Sequence, residues 1–195
     1  MQSFSNIIES FKRALEKHFK WQYDDFRHRC TSTKNGDSIV PFYLNVQKET
    51  MEPSAVLLMR RVGAYGPENR RLMNRMKGWI SSHGLWEQKT TLLGIPWDNP
   101  SITKAEACRY DVCMLWDKET IPETDEVVPG QLVGGMYAVF LLEHTAEAVQ
   151  AAWSGYSAAL PALGFTVDAS RPVMERYRKE LVDRHLCELC VPILK

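Results

Sequence analysis

Apolar residues change their period near residue 40. Before it, Phe4, Ile7, Ile8, Phe11, Leu15 and Phe19 recur at helical spacing, which predicts an amphipathic helix over residues 4–20 with Ser3 or Ser5 placed to cap it. A helix this short cannot bury its stripe alone, so it docks on something or is a fragment. The polar run Thr31 to Ser38, with its Asn35-Gly36 turn signal, reads as a linker. The resulting division is a helical segment over 1–30, a linker over 31–42 and a main domain over 43–195.

In the main domain, strand and helix patterns alternate. Tyr43–Thr50 and Ser54–Val62 read as strands. Gly66-Pro67 then opens a helix with Leu72, Met76, Trp79 and Ile80 on one face, and Gly84 closes it. Strand signals follow at Lys89–Ile95 and Cys108–Trp116. The plan then repeats: strand Gly134–Leu142, a helix capped by Thr145 with Val149, Ala152, Trp153, Tyr156, Leu160 and Leu163 on its apolar side, a closing Gly164, and strands at Pro172–Arg178 and Leu186–Leu194. The two helix ends, Ser82-His83-Gly84-Leu85 and Ala162-Leu163-Gly164-Phe165, lie 80 residues apart. A tandem duplication of β-α-β-β units is the expected fold, α+β in class. The units joined edge to edge give one antiparallel sheet with both helices on one face. The uncovered face and the seam between the halves are then left to be covered or to bind something.

Composition narrows the function. No apolar run approaches the ~20 residues of a membrane span, which argues against an integral membrane protein. Lys+Arg and Asp+Glu balance at 24 each, which argues against a main role in gripping nucleic acid. Five cysteines with no export signal fit a reducing cytoplasm. No phosphate loop, dinucleotide fingerprint or serine elbow is present, and the histidines show no metal spacing. Cys187-x-x-Cys190 is not expected to hold a metal, because positions three apart on a strand face opposite ways. Neither a cofactor nor a metal is expected. Arg70, Arg71, Arg75 and Lys77, with Arg60 and Arg61 before them, form a basic surface that reads as a solvated helix face rather than a contact for nucleic acid or an acidic partner.

Several segments resemble the GyrI-like domain, the family of gyrase-inhibitory proteins and bacterial drug-sensing effector domains. They are Gly134-Gly135-Met136-Tyr137-Ala138-Val139, Pro172-Val173-Met174-Glu175-Arg176-Tyr177 and Cys187-Glu188-Leu189-Cys190-Val191-Pro192-Ile193. Arg61-Val62-Gly63-Ala64-Tyr65-Gly66, Trp97-Asp98-Asn99-Pro100 and Cys108-Arg109-Tyr110-Asp111 sit where that family has similar motifs. The resemblance covers roughly 43–194 and implies a ligand cleft between the repeats. At the front, Phe11-Lys12-Arg13-Ala14-Leu15-Glu16-Lys17-His18-Phe19 with Phe26-Arg27 is similar to the last helix-turn-helix segment of AraC-type regulators. Lys20 and Tyr23 stand where those regulators usually have Gly and Pro. Such a remnant implies an effector domain that does not bind DNA alone.

Glu175 is the leading candidate site residue. On a strand it shares a face with Val173 and Tyr177, and a carboxylate among apolar neighbours is costly to bury without a partner. A cationic guest lowers that cost, as does protonation. The alternative is an exposed Glu paired with a nearby base. In the drug-sensing members the Glu at this motif faces the ligand, which is what the resemblance implies for Glu175. Tyr65, Trp97, Tyr110, Trp116, Tyr137, Trp153 and Tyr177 are the candidate aromatic walls, suited to a flat lipophilic cation. Trp153 and Tyr156 also fit plain packing of their helix on the sheet. The expected function is a cytoplasmic module that binds small lipophilic or cationic aromatic molecules for a transcriptional regulator, or sequesters them. The resemblance leaves two alternatives open: a hydrolase of strained DNA-alkylating compounds, with Glu175 as general acid or positioning water and Tyr137 or Trp116 stacking on the ring system, and an inhibitor of DNA gyrase.

Overall fold

The computed structural model describes residues 42–122 and 124–194. The helix expected over 4–20, the segment 1–30 and nearly all of the linker lie outside the described residues. Eight strands form one antiparallel sheet: β1 (Asn45–Met51), β2 (Ser54–Val62), β3 (Thr91–Pro96), β4 (Arg109–Leu115), β5 (Val128–Leu132), β6 (Gly135–Glu143), β7 (Met174–Arg178) and β8 (Leu186–Pro192). Helix α1 (Pro67–Ser82) joins β2 to β3, α2 (Ala146–Ala162) joins β6 to β7, and a single turn, α3 (Lys179–Val182), follows β7.

The strand order is β1-β6-β8-β7-β3-β4-β2-β5. The successions β2-α1-β3-β4 and β6-α2-β7-β8 are alike, and their strands run outward as 3-4-2 and 7-8-6 from a β3–β7 seam. That seam pairs Leu92 with Tyr177 and Gly94 with Glu175. The strands and both long helices fall where the periodicity places them, to within a few residues at the ends. Two elements carry no such signal. β5 contains Pro129 and Gly130 and survives because it lies at the sheet edge, where a missing donor costs little. α3 is too short to show a period.

Local chemistry sets the helix ends. Pro67 sits in the first turn of α1. The Thr145 hydroxyl accepts from the Ala148 amide at 3.1 Å and starts α2. Gly84 and Gly164 follow the helices with φ of 63° and 76°, left-handed values that a side chain would resist.

The sheet is buried on both faces. Leu72, Met76, Trp79 and Ile80 of α1 pack on Leu57, Met59, Val112 and Met114. Ala152 and Leu160 of α2 pack on Phe140, Leu142, Leu189 and Val191. On the opposite face, Val56, Leu93, Ile95, Tyr137, Met174 and Cys190 form a third cluster. There Arg176, only 7% exposed, donates to Glu188 at 2.8 Å and to both oxygens of Glu49 at 2.7 and 2.8 Å. Glu49 is on β1 and Arg176 on β7, three strand spacings or about 14 Å apart on a flat sheet. Side chains stand roughly upright from a sheet, so this contact is met by a sheet that curls toward that face. The helices sit on the convex side: α1 on β2 and β4, α2 on β6 and β8. Neither helix packs squarely on β3 or β7, and a gap opens over the seam.

Candidate functional site

That gap is a cleft of about 610 Å³, walled by α1 and the start of α2 and floored by Tyr110, Glu175 and Tyr177. Its floor follows from strand alternation. On β7, Met174 and Arg176 turn to the concave face while Glu175 and Tyr177 turn to the helix side. Tyr110 comes up from β4, beside the same point.

Glu175 is held from three directions. The Trp153 indole N–H donates to Oε1 at 2.7 Å, and the Tyr177 hydroxyl donates to Oε2 at 2.7 Å. The Tyr110 hydroxyl also bonds the Glu175 carboxylate. Burial and the Glu175 charge push both phenols above the ordinary tyrosine range, so each stays a proton donor. All three donors are neutral. Among the described residues no Lys, Arg or His lies within ion-pair distance of Glu175. The carboxylate is therefore solvated by protein dipoles and, among the described residues, meets no counter-ion.

Gly94 makes this arrangement possible. It sits opposite Glu175 in the β3–β7 pairing, and a Cβ there would lie 3.0 Å from Glu175 Oε2 and run into the Tyr110 hydroxyl. The sequence carries one sign of it, a lone glycine inside the apolar strand TLLGIP. Periodicity does not mark the walls of the cleft. Met73 and Val149 line the cleft, and so do Arg70 and Lys77, which the helical pattern places on a solvated face.

The other candidate aromatics are dispersed. Trp153 reaches Glu175 through its N–H while its ring stands edge-on to Tyr156, half-buried, at 6.0 Å. Tyr65 stands edge-on to Tyr110 at 6.2 Å, and its hydroxyl donates to a backbone carbonyl of Asp98 or Arg109. Trp97 is 41% exposed and bonds Asp111 Oδ2 at 2.6 Å, beside Arg60 on the concave face. Trp116 is buried in the α1 cluster and borders a separate cavity of about 210 Å³ with Leu85 and Lys89. Tyr137 is wholly buried on the concave face, under the Arg171 guanidinium at 4.7 Å. Periodicity gives the side of the strand but not which side the helices cover, and this separates Tyr137 from Tyr177.

Cys187 lies in the α2 cluster and Cys190 in the concave-face cluster, and burial pushes both thiols up to about 12. Among the described residues no group of three or more His, Cys, Asp or Glu could hold a metal ion. No helix among them is long and apolar enough to cross a membrane.

Comparison with known proteins bears on the same region. The family model of the GyrI-like small-molecule-binding domain matches residues 44–194. The SPbeta prophage-derived protein YosT of Bacillus subtilis (strain 168), named for a proposed role as a transcriptional regulator, is 38% identical over 152 residues, 77% of this chain and 99% of YosT. The EcmrR C-terminal domain superposes with a TM-score of 0.57 at 9% identity, over 77% of this chain and 98% of that one. SAV2435, solved bound to tetraphenylphosphonium, superposes with a TM-score of 0.51 at 13% identity, over 77% of this chain and 94% of that one. At these identities the two structures speak to the fold alone.

Proposed function

The chain belongs to the GyrI-like family of small-molecule-binding domains, and from that premise we propose that it captures lipophilic aromatic cations in the cleft between α1 and α2. The observation that carries the reading is Glu175, a carboxylate at the floor of a cleft, met by three neutral donors and by no cation among the described residues. A guest that brings its own positive charge supplies the missing counter-ion. Tyr110, Tyr177 and Trp153 then offer π-faces or edges at the same point, with each cation–π contact worth roughly 0.5–2 kcal/mol. In this reading the two β-α-β-β units derive from one duplicated unit, and the cleft lies at their junction. The domain works in the cytoplasm as the ligand-sensing part of a regulator, and residues 1–30 resemble part of an AraC-type DNA-binding segment. The kinship with YosT supports the regulatory role, and the phosphonium bound by SAV2435 supports the guest class.

Titration of Trp fluorescence tests it, since the Trp153 indole touches Glu175. We expect saturable micromolar binding of methyltriphenylphosphonium, much weaker binding of neutral triphenylphosphine oxide, and a roughly tenfold loss of phosphonium affinity in Glu175→Gln, equivalent to about 1.4 kcal/mol. Equal affinity for the cation and the neutral analogue would sink the role of Glu175. Inhibition of purified DNA gyrase that persists in Glu175→Gln would favour the gyrase reading instead. Hydrolysis of an alkylating substrate, lost in that variant, would favour the enzyme reading.

A further inference from the structure

The walls of the cleft carry charge opposite to its floor. Arg70 and Lys77 lie two turns apart on α1 and both line the cleft. Among the described residues neither has an ion-pair or hydrogen-bond partner. Their neighbour Arg71, turned outward, bonds Glu68 at 2.6 Å. Lys77 is half-buried, its stem laid along the wall of the cleft. Across the gap stand His144, Thr145 and Ala146, where the start of α2 adds the positive end of a helix. Burial, and after it the Lys77 charge, hold the His144 imidazole below its usual range, so the field of Lys77 reaches the opposite wall. Glu175 is the sole carboxylate in this lining among the described residues. Past Lys77, His144 and Tyr177 the cleft continues into an adjoining cavity of about 320 Å³ bordered by Leu92 and Val182, which leaves room for a guest longer than one ring cluster.

A guest that is only cationic meets two unpaired cations on its way to Glu175, and one that is only anionic meets Glu175 at the end. A guest with both charges turns each encounter into attraction. We propose that the cleft selects amphoteric ligands, in which an aromatic cation rests over Glu175 and a tethered carboxylate is received by Lys77 and Arg70. This rests on the cation-binding reading above and names the second half of the ligand.

The test uses three probes on the full chain: methyltriphenylphosphonium, (4-carboxybutyl)triphenylphosphonium, and the methyl ester of the latter. The ester has the length and cation of the acid without its negative charge, so the ratio of the two dissociation constants isolates the carboxylate. We expect the acid to bind about three- to fivefold more tightly than the ester at low salt, the range of a partly exposed ion pair. The preference should fall as salt rises. Lys77→Met keeps the apolar stem and should bring the ratio close to one, with Arg70→Gln lowering it less. Glu175→Gln should weaken acid and ester together and leave their ratio. Equal binding of acid and ester by the unaltered chain, with methyltriphenylphosphonium still bound, overturns the amphoteric proposal and spares the cation reading. So does a preference that survives both Lys77→Met and Arg70→Gln. Absence of binding by all three phosphoniums overturns both.

Discussion

Glu175 and Gly94 form one unit although 81 residues separate them. The carboxylate is met by three donors, and one of them, Tyr110, reaches in from β4 because β3 offers no side chain at the crossing point. A methyl group at Gly94 would meet the Tyr110 hydroxyl and Glu175 Oε2. Gly94→Ala is therefore expected to displace the Tyr110 hydroxyl and weaken phosphonium binding by about tenfold or more, at a stability cost of about 1–3 kcal/mol typical of overpacking. Paired fluorescence titration and urea unfolding check this. Unchanged affinity would mean that Tyr110 is not needed to hold the carboxylate. At this scale the sequence marks Glu175 and Tyr177 by strand alternation and Gly94 by its oddity in an apolar strand. It marks Tyr137 equally well, and only the fold tells the two tyrosines apart.

Among the elements, the loop after β3 holds the α1 side of the cleft together. Asp98 accepts from the Arg109 guanidinium at 2.8 and 3.0 Å and from the Arg109 amide at 2.7 Å, and its own amide donates to the Tyr65 hydroxyl at 3.0 Å. Tyr65 in turn packs edge-on to Tyr110. The guanidinium and amide bonds of Arg109 hold the Asp98 carboxyl down at about 2, below its ordinary 3.8. A depressed folded-state value stabilises the fold above the unfolded one, so this contribution is present at neutral pH and is lost as pH falls from about 4 toward 2. Asp98→Asn removes it at every pH. We expect the urea midpoint of the unaltered chain to exceed that of Asp98→Asn at pH 6, with the difference shrinking between pH 4 and pH 2. A difference that stays constant over that range would show that Asp98 acts through something other than its charge.

For the whole molecule, the curl of the sheet ties the concave face to the cleft. The Glu49–Arg176–Glu188 cluster links β1 to β7 and β8 across that face, and the same curl leaves α1 and α2 apart over the seam. Arg176→Ala leaves the half-buried Glu49 without its partner, while Glu188 keeps the bonds it accepts from Arg178 at 2.6 and 3.0 Å, and is expected to cost about 1–3 kcal/mol. Denaturant unfolding measures that cost, and a loss below about 1 kcal/mol would mean the cluster does not hold the curl. What the sequence determined by itself were the quantities carried by local periodicity. These are nine of the eleven strands and helices, the apolar faces of the two long helices, the helix stops at Gly84 and Gly164, the α+β class, and the pairing of Glu175 with Tyr177 on one side of a strand. What only the tertiary structure decided depends on contacts far apart in the chain. The β3–β7 seam, the Glu49–Arg176–Glu188 cluster, the space left by Gly94 and the place of Arg70 and Lys77 in the cleft wall each need two or more elements to meet. No local pattern records which face of a strand a helix will cover, or where two helices will fail to touch.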